Sequence, residues 1–202
     1  MTTYTLASIP SRFTATQILN DVAFVSLSGA TQTTGRTGNR WSLSLSFENF
    51  VGAGRRILES ELRRLSGQRH RLQIQILPSW GFANRGNMGG APLLNGGHSA
   101  GATSLVCDGF PASTIVLKQG DWFSLANEWK EATADVTSDG SGNATIPIWP
   151  EVHKNYADNQ ALSYTPAGVF ICTTPIAAML APYRSNDWVT SIDCDFVEDV
   201  LA

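Results

Sequence analysis

The chain has 202 residues, 43% apolar and only 15% charged, which suits one large domain or two small ones. A chain of this length buries roughly 70% of its unfolded surface and needs no disulfide or metal to hold a core. Its net charge of −3 excludes a global basic footprint for nucleic acid, and its turn-rich, weakly charged surface fits an all-β protein or a subunit buried in an assembly.

From the N-terminus, residues 4–28 read as extended, with "DVAFVSLSGA" alternating into a Ser-Gly turn. "TQTTGRTGNR" reads as a polar turn region with two glycines. "WSLSLSFENF" is the clearest strand. It places Trp41, Leu43, Leu45 and Phe47 on one face and Ser42, Ser44 and Ser46 on the other, the pattern of a sheet covered on one side. A helix follows in "GAGRRILESELRRLSGQRHR". Leu58, Leu62 and Leu65 form its apolar stripe with Ile57 beside them, Glu59 and Arg63 make an i,i+4 pair, and Gly67 is the stop. "RLQIQIL" alternates again, giving a strand–helix–strand unit.

Residues 79–104 carry eight glycines or prolines and read as a long irregular connection into an inserted unit or an interface loop. Short strands follow from 105 to 165: "LVCDGF", "TIVLKQGDWFSLA", "EWKEATADVTS", "NATIPIWP" and "QALSYT". Strands of this length and number make a small barrel or a curled sheet. Longer strands return in "GVFICTT" and "DWVTSIDCDFVEDV". The last alternates Trp188, Thr190, Ile192, Cys194 and Phe196 with Val189, Ser191, Asp193, Asp195 and Val197.

Charge is segregated along the chain. Six of the fourteen Lys and Arg residues lie between Arg55 and Arg71, while the last sixteen residues hold five acids and no base. The helix arginines Arg55, Arg56, Arg63 and Arg64 read as a salt-bridge surface toward an acidic strand, in the same chain or in a neighbouring subunit, rather than as a nucleic-acid contact. Cys107, Cys172 and Cys194 are odd in number with no CxxC, so they read as buried free thiols, although Cys172 and Cys194 could meet on neighbouring strands. No apolar leader core and no run near the ~18 residues of a membrane helix is present, so the expectation is a soluble protein made in a reducing cytoplasm.

Candidate chemistry is sparse. Asp135, Asp139, Ser141, Gly142 and Asn143 lack the spacing and the Glu of a calcium loop, and DGSGN reads as a turn. His70, His98 and His153 fall in no triad or metal motif, and no GxSxG, HExxH or P-loop occurs. Trp80, Trp122, Trp129 and Trp149 are candidates for a sugar platform, but tryptophans in short strands read as core. No catalytic residue, metal ligand or cofactor is expected.

Two segments carry a family resemblance. One combines "LKQGDWF", "ADVTSDGSGNATIPIWP" and the terminal "FVEDVL"; the other is "GRTGNRWSLSLSF", then the helix, then "LSGQRHRLQIQIL". Their order resembles the distal-tail (Dit-like) or baseplate proteins of long-tailed bacteriophages, from about Gly35 onward, with residues 171–187 departing most. The resemblance implies a mainly β chain: a tail-tube-like β-sandwich with one flanking α-helix (residues 1–90 and 166–202) and an inserted small β-barrel-like subdomain (91–165). It implies a hexameric ring without enzymatic activity that joins the tail tube to the tip. Its partners would be itself and the tube, hub, tip or fibre proteins, and DNA would pass through without specific binding. The protein would be made in the bacterial cytoplasm and reside in the virion. Either the face of Asp193 and Asp195 or that of Ser42, Ser44 and Ser46 is then a candidate channel wall. A receptor- or carbohydrate-binding tip module built on residues 105–165 is the alternative, and a tail-associated hydrolase the third reading.

Overall fold

A computed structural model describes residues 1–48, 52–76, 83–175 and 191–200. The chain is mainly β, with one helix among the described residues. In order it runs β1 (Thr3–Thr5), β2 (Arg12–Ile18), β3 (Asp21–Val25), β4 (Thr31–Gly35), β5 (Arg40–Glu48), α1 (Gly52–Arg64) and β6 (Arg71–Gln75). There follow β7 (Leu93–Leu94), β8 (Ser104–Asp108), β9 (Ile115–Leu117), β10 (Trp122–Leu125), β11 (Glu128–Ala132), β12 (Val136–Thr137), β13 (Ala144–Trp149), β14 (Leu162–Ser163), β15 (Ala167–Cys172) and β16 (Ser191–Glu198).

Six strands form the first sheet in the order β1-β6-β15-β16-β5-β2, antiparallel except for the β1–β6 pair. The alternation expected for β5 holds: Trp41, Leu43, Leu45 and Phe47 are buried on one face, joined there by Ile192, Cys194 and Phe196 of β16. Leu58 and Leu62 of α1, with Leu65 just past its end, close this core, each burial contributing roughly 1.5–3 kcal/mol. Ile57, expected beside that stripe, is instead 56% exposed, because it lies one residue off the i, i+4, i+7 line. The helix ends at Arg64, and Ser66 and Gly67 follow with φ of 49° and 73°.

Chain reach shows that this sheet curls. Leu6 still donates its N–H to Gln73 of β6 at one edge, and Ser11 donates to Ser46 of β5 near the other. Five residue steps span at most about 18 Å, whereas five strand spacings in a flat sheet come to about 24 Å. The connecting N–H groups of Ala7 and Ser8 donate to the Glu61 carboxylate of α1, so the link passes on the helix side and the sheet bends toward it.

The second sheet has the order β14-β10-β11-β13-β8-β7. Leu93 bridges Ala161, Leu94 N–H donates to Gln160 O (2.9 Å) and Leu162 N–H to Pro92 O (3.0 Å), which nearly closes the sheet into a barrel. Its core holds Leu105, Cys107, Phe123, Leu125, Ile146 and Ile148. The DGSGN stretch is a turn whose hub is Asp139: Oδ1 accepts from the N–H groups of Ser141 (2.8 Å) and Asn143 (2.9 Å), and Oδ2 from the Asn143 amide (3.0 Å). Gly142 is required there. Its φ is 82°, and a Cβ would lie 2.4 Å from the Phe110 carbonyl oxygen.

One expectation is corrected. "TQTTGRTGNR" is not wholly turn, because Thr31–Gly35 pairs with Asp21–Val25 as a two-stranded hairpin. Threonine side chains suit an exposed strand as well as a polar loop, and composition alone does not separate the two. Trp80, Trp188, Val189, Thr190 and most of the Ala- and Pro-rich segment lie outside the described residues.

Candidate functional site

The two faces weighed as channel walls are one face. Across the β16–β5 ladder Asp193 stands opposite Ser46 and Asp195 opposite Ser44, and across β5–β2 Ser44 stands opposite Thr14 and Ser42 opposite Thr16. Residues directly opposite share a face, so hydroxyls and acids from three neighbouring strands form one continuous polar surface, turned away from the core. Ser44 Oγ donates to Asp195 Oδ1, and Thr174 Oγ1 donates to Oδ2 at 3.4 Å. Ser191 Oγ donates to Asp193 Oδ2 at 3.2 Å. Both acids are exposed. Arg12, opposite Ser46, and Arg40, two residues before Ser42 on β5, are bases on this surface, and Arg12 reaches Glu48 at 3.7 Å.

The four helix arginines do not act as a set. Arg55 (2.8 Å) and Arg63 (3.0 Å) both pair with Glu59, and Arg64 lies over the Tyr4 ring at 4.3 Å, while Arg56 is exposed. A pairing between the basic and acidic segments within the chain does occur, but through Arg71 and Asp199.

A cluster of buried charge at the junction of the two sheets escaped the sequence reading. Glu128 and Lys130 project from β11; Glu151, His153 and Tyr156 follow β13; Glu198 ends β16. Glu128 Oε2 accepts from Lys130 Nζ at 2.7 Å and lies 3.1 Å from His153 Nδ1, and its Oε1 accepts from the Tyr156 hydroxyl at 2.8 Å. His153 Nε2 lies 2.6 Å from the Asn39 carbonyl oxygen, which ties the barrel to the start of β5. Lys130 Nζ also donates to Glu151 O at 2.8 Å. Glu151 in turn accepts from the backbone N–H of Gly38 (2.6 Å) and from the Asn39 amide (3.0 Å). A cavity of about 220 Å³ adjoins His153, lined also by Thr37, Gly38, Gly101 and Val200.

Burial and pairing act in opposite directions here. Burial alone would raise the Glu128 carboxyl, but the His153 hydrogen bond and the Lys130 charge outweigh it and bring it down to about 2. Glu198 is raised by burial, and among the described residues its oxygens accept from the backbone N–H groups of Trp129 (2.8 Å) and Trp41 (3.3 Å) with no cation in direct contact. The Tyr156 hydroxyl is pushed up by burial and by Glu128. These donors and acceptors are engaged with one another, so the cluster acts as a fastening between sheets.

Of the four tryptophans expected as core, Trp80 lies outside the described residues and the other three pack inward. Trp122 and Trp129 are buried and Trp149 is half-buried against Trp41, with ring centroids of Trp41–Trp122 and Trp41–Trp149 both 4.5 Å apart. Gly168 permits this packing, since a Cβ there would lie 2.8 Å from the Trp129 ring. Cys107, Cys172 and Cys194 are buried thiols outside any disulfide, and burial pushes the Cys107 thiol up to about 12 and Cys172 to about 11. His98 Nε2 accepts from Val106 N–H, and His70 Nδ1 from Thr2 N–H. No protein-family model matches this chain, and no curated relative matches it.

Proposed function

We propose that this chain is a structural component of a bacteriophage tail: a ring-forming distal-tail or baseplate adaptor, joining the tail tube to the tip around the DNA channel. The observation that carries the reading is the polar surface of the first sheet, where Thr14, Thr16, Ser42, Ser44, Ser46, Asp193 and Asp195 present hydroxyls and acids over three adjacent strands. Cations that neutralise phosphates make DNA binding tight and salt-dependent, so a wall past which DNA must slide is best made of hydroxyls and acids. Its neighbours are further copies of itself in a hexameric ring and other tail proteins, and it carries out no catalysis. Ring contacts of this kind are heterologous, one patch meeting a different patch on the next copy.

Light scattering over a concentration series, with negative-stain images of the same sample, tests the reading. Particles of six times 21.8 kDa with a central hole are expected. A monomer at every concentration counts against it.

A receptor- or carbohydrate-binding module is the second reading. It draws on a shallow hollow of about 290 Å³ beside the Asp139 turn, lined by Thr137, Ser138, Asn143 and Thr145. Trp122 and Trp129, which a sugar platform would need at the surface, are inside. Saccharide binding by the monomer with quenched tryptophan fluorescence would favour this module over the ring.

A further inference from the structure

His153 sits where the barrel meets the first sheet, with its side chain only 3% exposed. Both of its ring nitrogens face acceptors. Nε2 lies 2.6 Å from the carbonyl oxygen of Asn39, which has no proton to give. Nδ1 lies 3.1 Å from Glu128 Oε2, an oxygen that already accepts from Lys130 Nζ (2.7 Å) and from the His153 backbone N–H (3.3 Å). The other oxygen of Glu128 accepts from the Tyr156 hydroxyl. A neutral imidazole has one N–H and one lone pair, so it satisfies only one of these two neighbours. The imidazolium, a donor at both nitrogens, satisfies both.

The two neighbours belong to different parts of the molecule. Glu128 is on β11 of the barrel, and Asn39 leads into β5 of the first sheet. Segment 151–153 of the barrel grips the loop before β5 twice. The Glu151 carboxylate accepts from the backbone N–H groups of Gly38 (2.6 Å) and Asn39 (3.2 Å) and from the Asn39 amide (3.0 Å), and the His153 ring donates to the Asn39 carbonyl. When the ring loses one proton, its new lone pair is repelled more by the full charge of Glu128 than by the dipole of the carbonyl. The bond that opens is therefore the one to Asn39. The cavity of about 220 Å³ beside the ring is lined also by Thr37 and Gly38, so it gives the loop room to shift and water a place to reach the vacated acceptor.

We propose that His153 is an imidazolium in the folded protein and acts as a proton-operated latch between the barrel and the first sheet, closed while both ring nitrogens carry protons and released at Asn39 when one proton leaves. The latch does not depend on the ring reading. The charged and titratable groups around it are Glu128 and Lys130 on β11, Glu151, Lys154 and Tyr156 after β13, and Glu198 at the end of β16, with Arg40 following Asn39 in the chain. Burial raises Glu128 and Glu151, but their hydrogen bonds outweigh it and hold both below the usual carboxylate range, while burial pushes the Tyr156 hydroxyl up. All three keep one form through the neutral range, where an imidazole changes charge. Glu198, raised by burial, acts in the opposite sense: as it ionises, its charge favours the imidazolium and opposes release.

The test is nitrogen NMR and amide exchange on the isotope-labelled full chain, wild type and His153→Gln. The His153 ring should carry protons on both nitrogens at about pH 7, where an unperturbed imidazole is mostly neutral, and on Nδ1 alone at alkaline pH. Over that change the Gly38 and Asn39 amides, each taken relative to its intrinsic exchange rate, should lose protection at least about tenfold, because a charge-assisted hydrogen bond has left the loop. Leu43 and Leu45, further along β5, should keep theirs. In His153→Gln, protection at Gly38 and Asn39 should be low at both ends of the range. A wild-type ring with a single proton at about pH 7 overturns the proposal, and that measurement stands whether or not the variant folds. A loss of protection as steep in His153→Gln as in the wild type overturns it as well, and assigns the pH dependence to Glu198.

Discussion

Glu128 and Glu198 lie at the junction of the two sheets with 2% and 0% of their surface exposed, whereas Asp193 and Asp195 stand on the open face of the first sheet, on the same strand as Glu198. The junction acids have lost water and must be satisfied by fixed partners: Lys130, His153 and Tyr156 for Glu128, and two backbone N–H groups for Glu198. The surface acids keep water, and their hydroxyl neighbours are exchangeable for it. An acid at the junction therefore answers to stability, and an acid on the open face is free to serve whatever passes over it.

Removing one charge from the junction is the sharpest way to break that contrast. Lys130→Met keeps most of the side-chain volume but leaves Glu128 without its direct cation. Breaking one member of a buried pair costs about 3–5 kcal/mol, and a loss of that size is expected in the denaturation midpoint at neutral pH. A loss under about 1 kcal/mol would mean that water reaches the cluster and that the junction is not a fastening.

Acid should loosen the same point by a known route. The folded Glu128 carboxyl binds its proton less readily than in the unfolded chain, about 2 against an ordinary 4.5. Its contribution, on the order of 3 kcal/mol, is fully present above pH 4.5 and is lost as pH falls through that range toward 2. Glu128→Gln should flatten this part of the stability–pH curve. An unchanged acid limb in that variant would move the effect to another carboxylate.

The contrast also explains what could be read from the residues alone. Alternation placed Trp41 to Phe47 and Leu58, Leu62 and Leu65 correctly, because one buried face forces a period on the sequence. It placed Asp193 and Asp195 outward for the same reason. What it did not reveal was that the serine and aspartate faces coincide, since that depends on the β16–β5 register and on pairing across 150 residues of chain. The junction did leave a trace. Extending the buried register Ile192, Cys194, Phe196 by two residues lands on Glu198, and Glu128 and Lys130 flank a tryptophan at i and i+2. A charge on the buried phase of a strand signals a partner arriving from elsewhere. Its identity, here the segment after Pro150 and the backbone of Asn39, is long-range geometry that no local pattern encodes.

The smallest effect is expected on the open face. Asp195 receives hydrogen bonds from Ser44 and Thr174, and Asp193 from Ser191, yet both carboxylates remain in water. Replacing both by asparagine keeps the shape and an acceptor oxygen at each site while removing the charge. Stability should then change by no more than about 0.5 kcal/mol, measured by the same denaturation midpoint as for Lys130→Met. What should change is the tolerance of the face for polyanions: the double variant should retain DNA at low salt more than the wild-type chain does, and the difference should disappear as salt rises. A stability loss above about 1 kcal/mol would instead make these acids part of the sheet's own fastening, leaving the open face without a distinct role and collapsing the difference between the two depths.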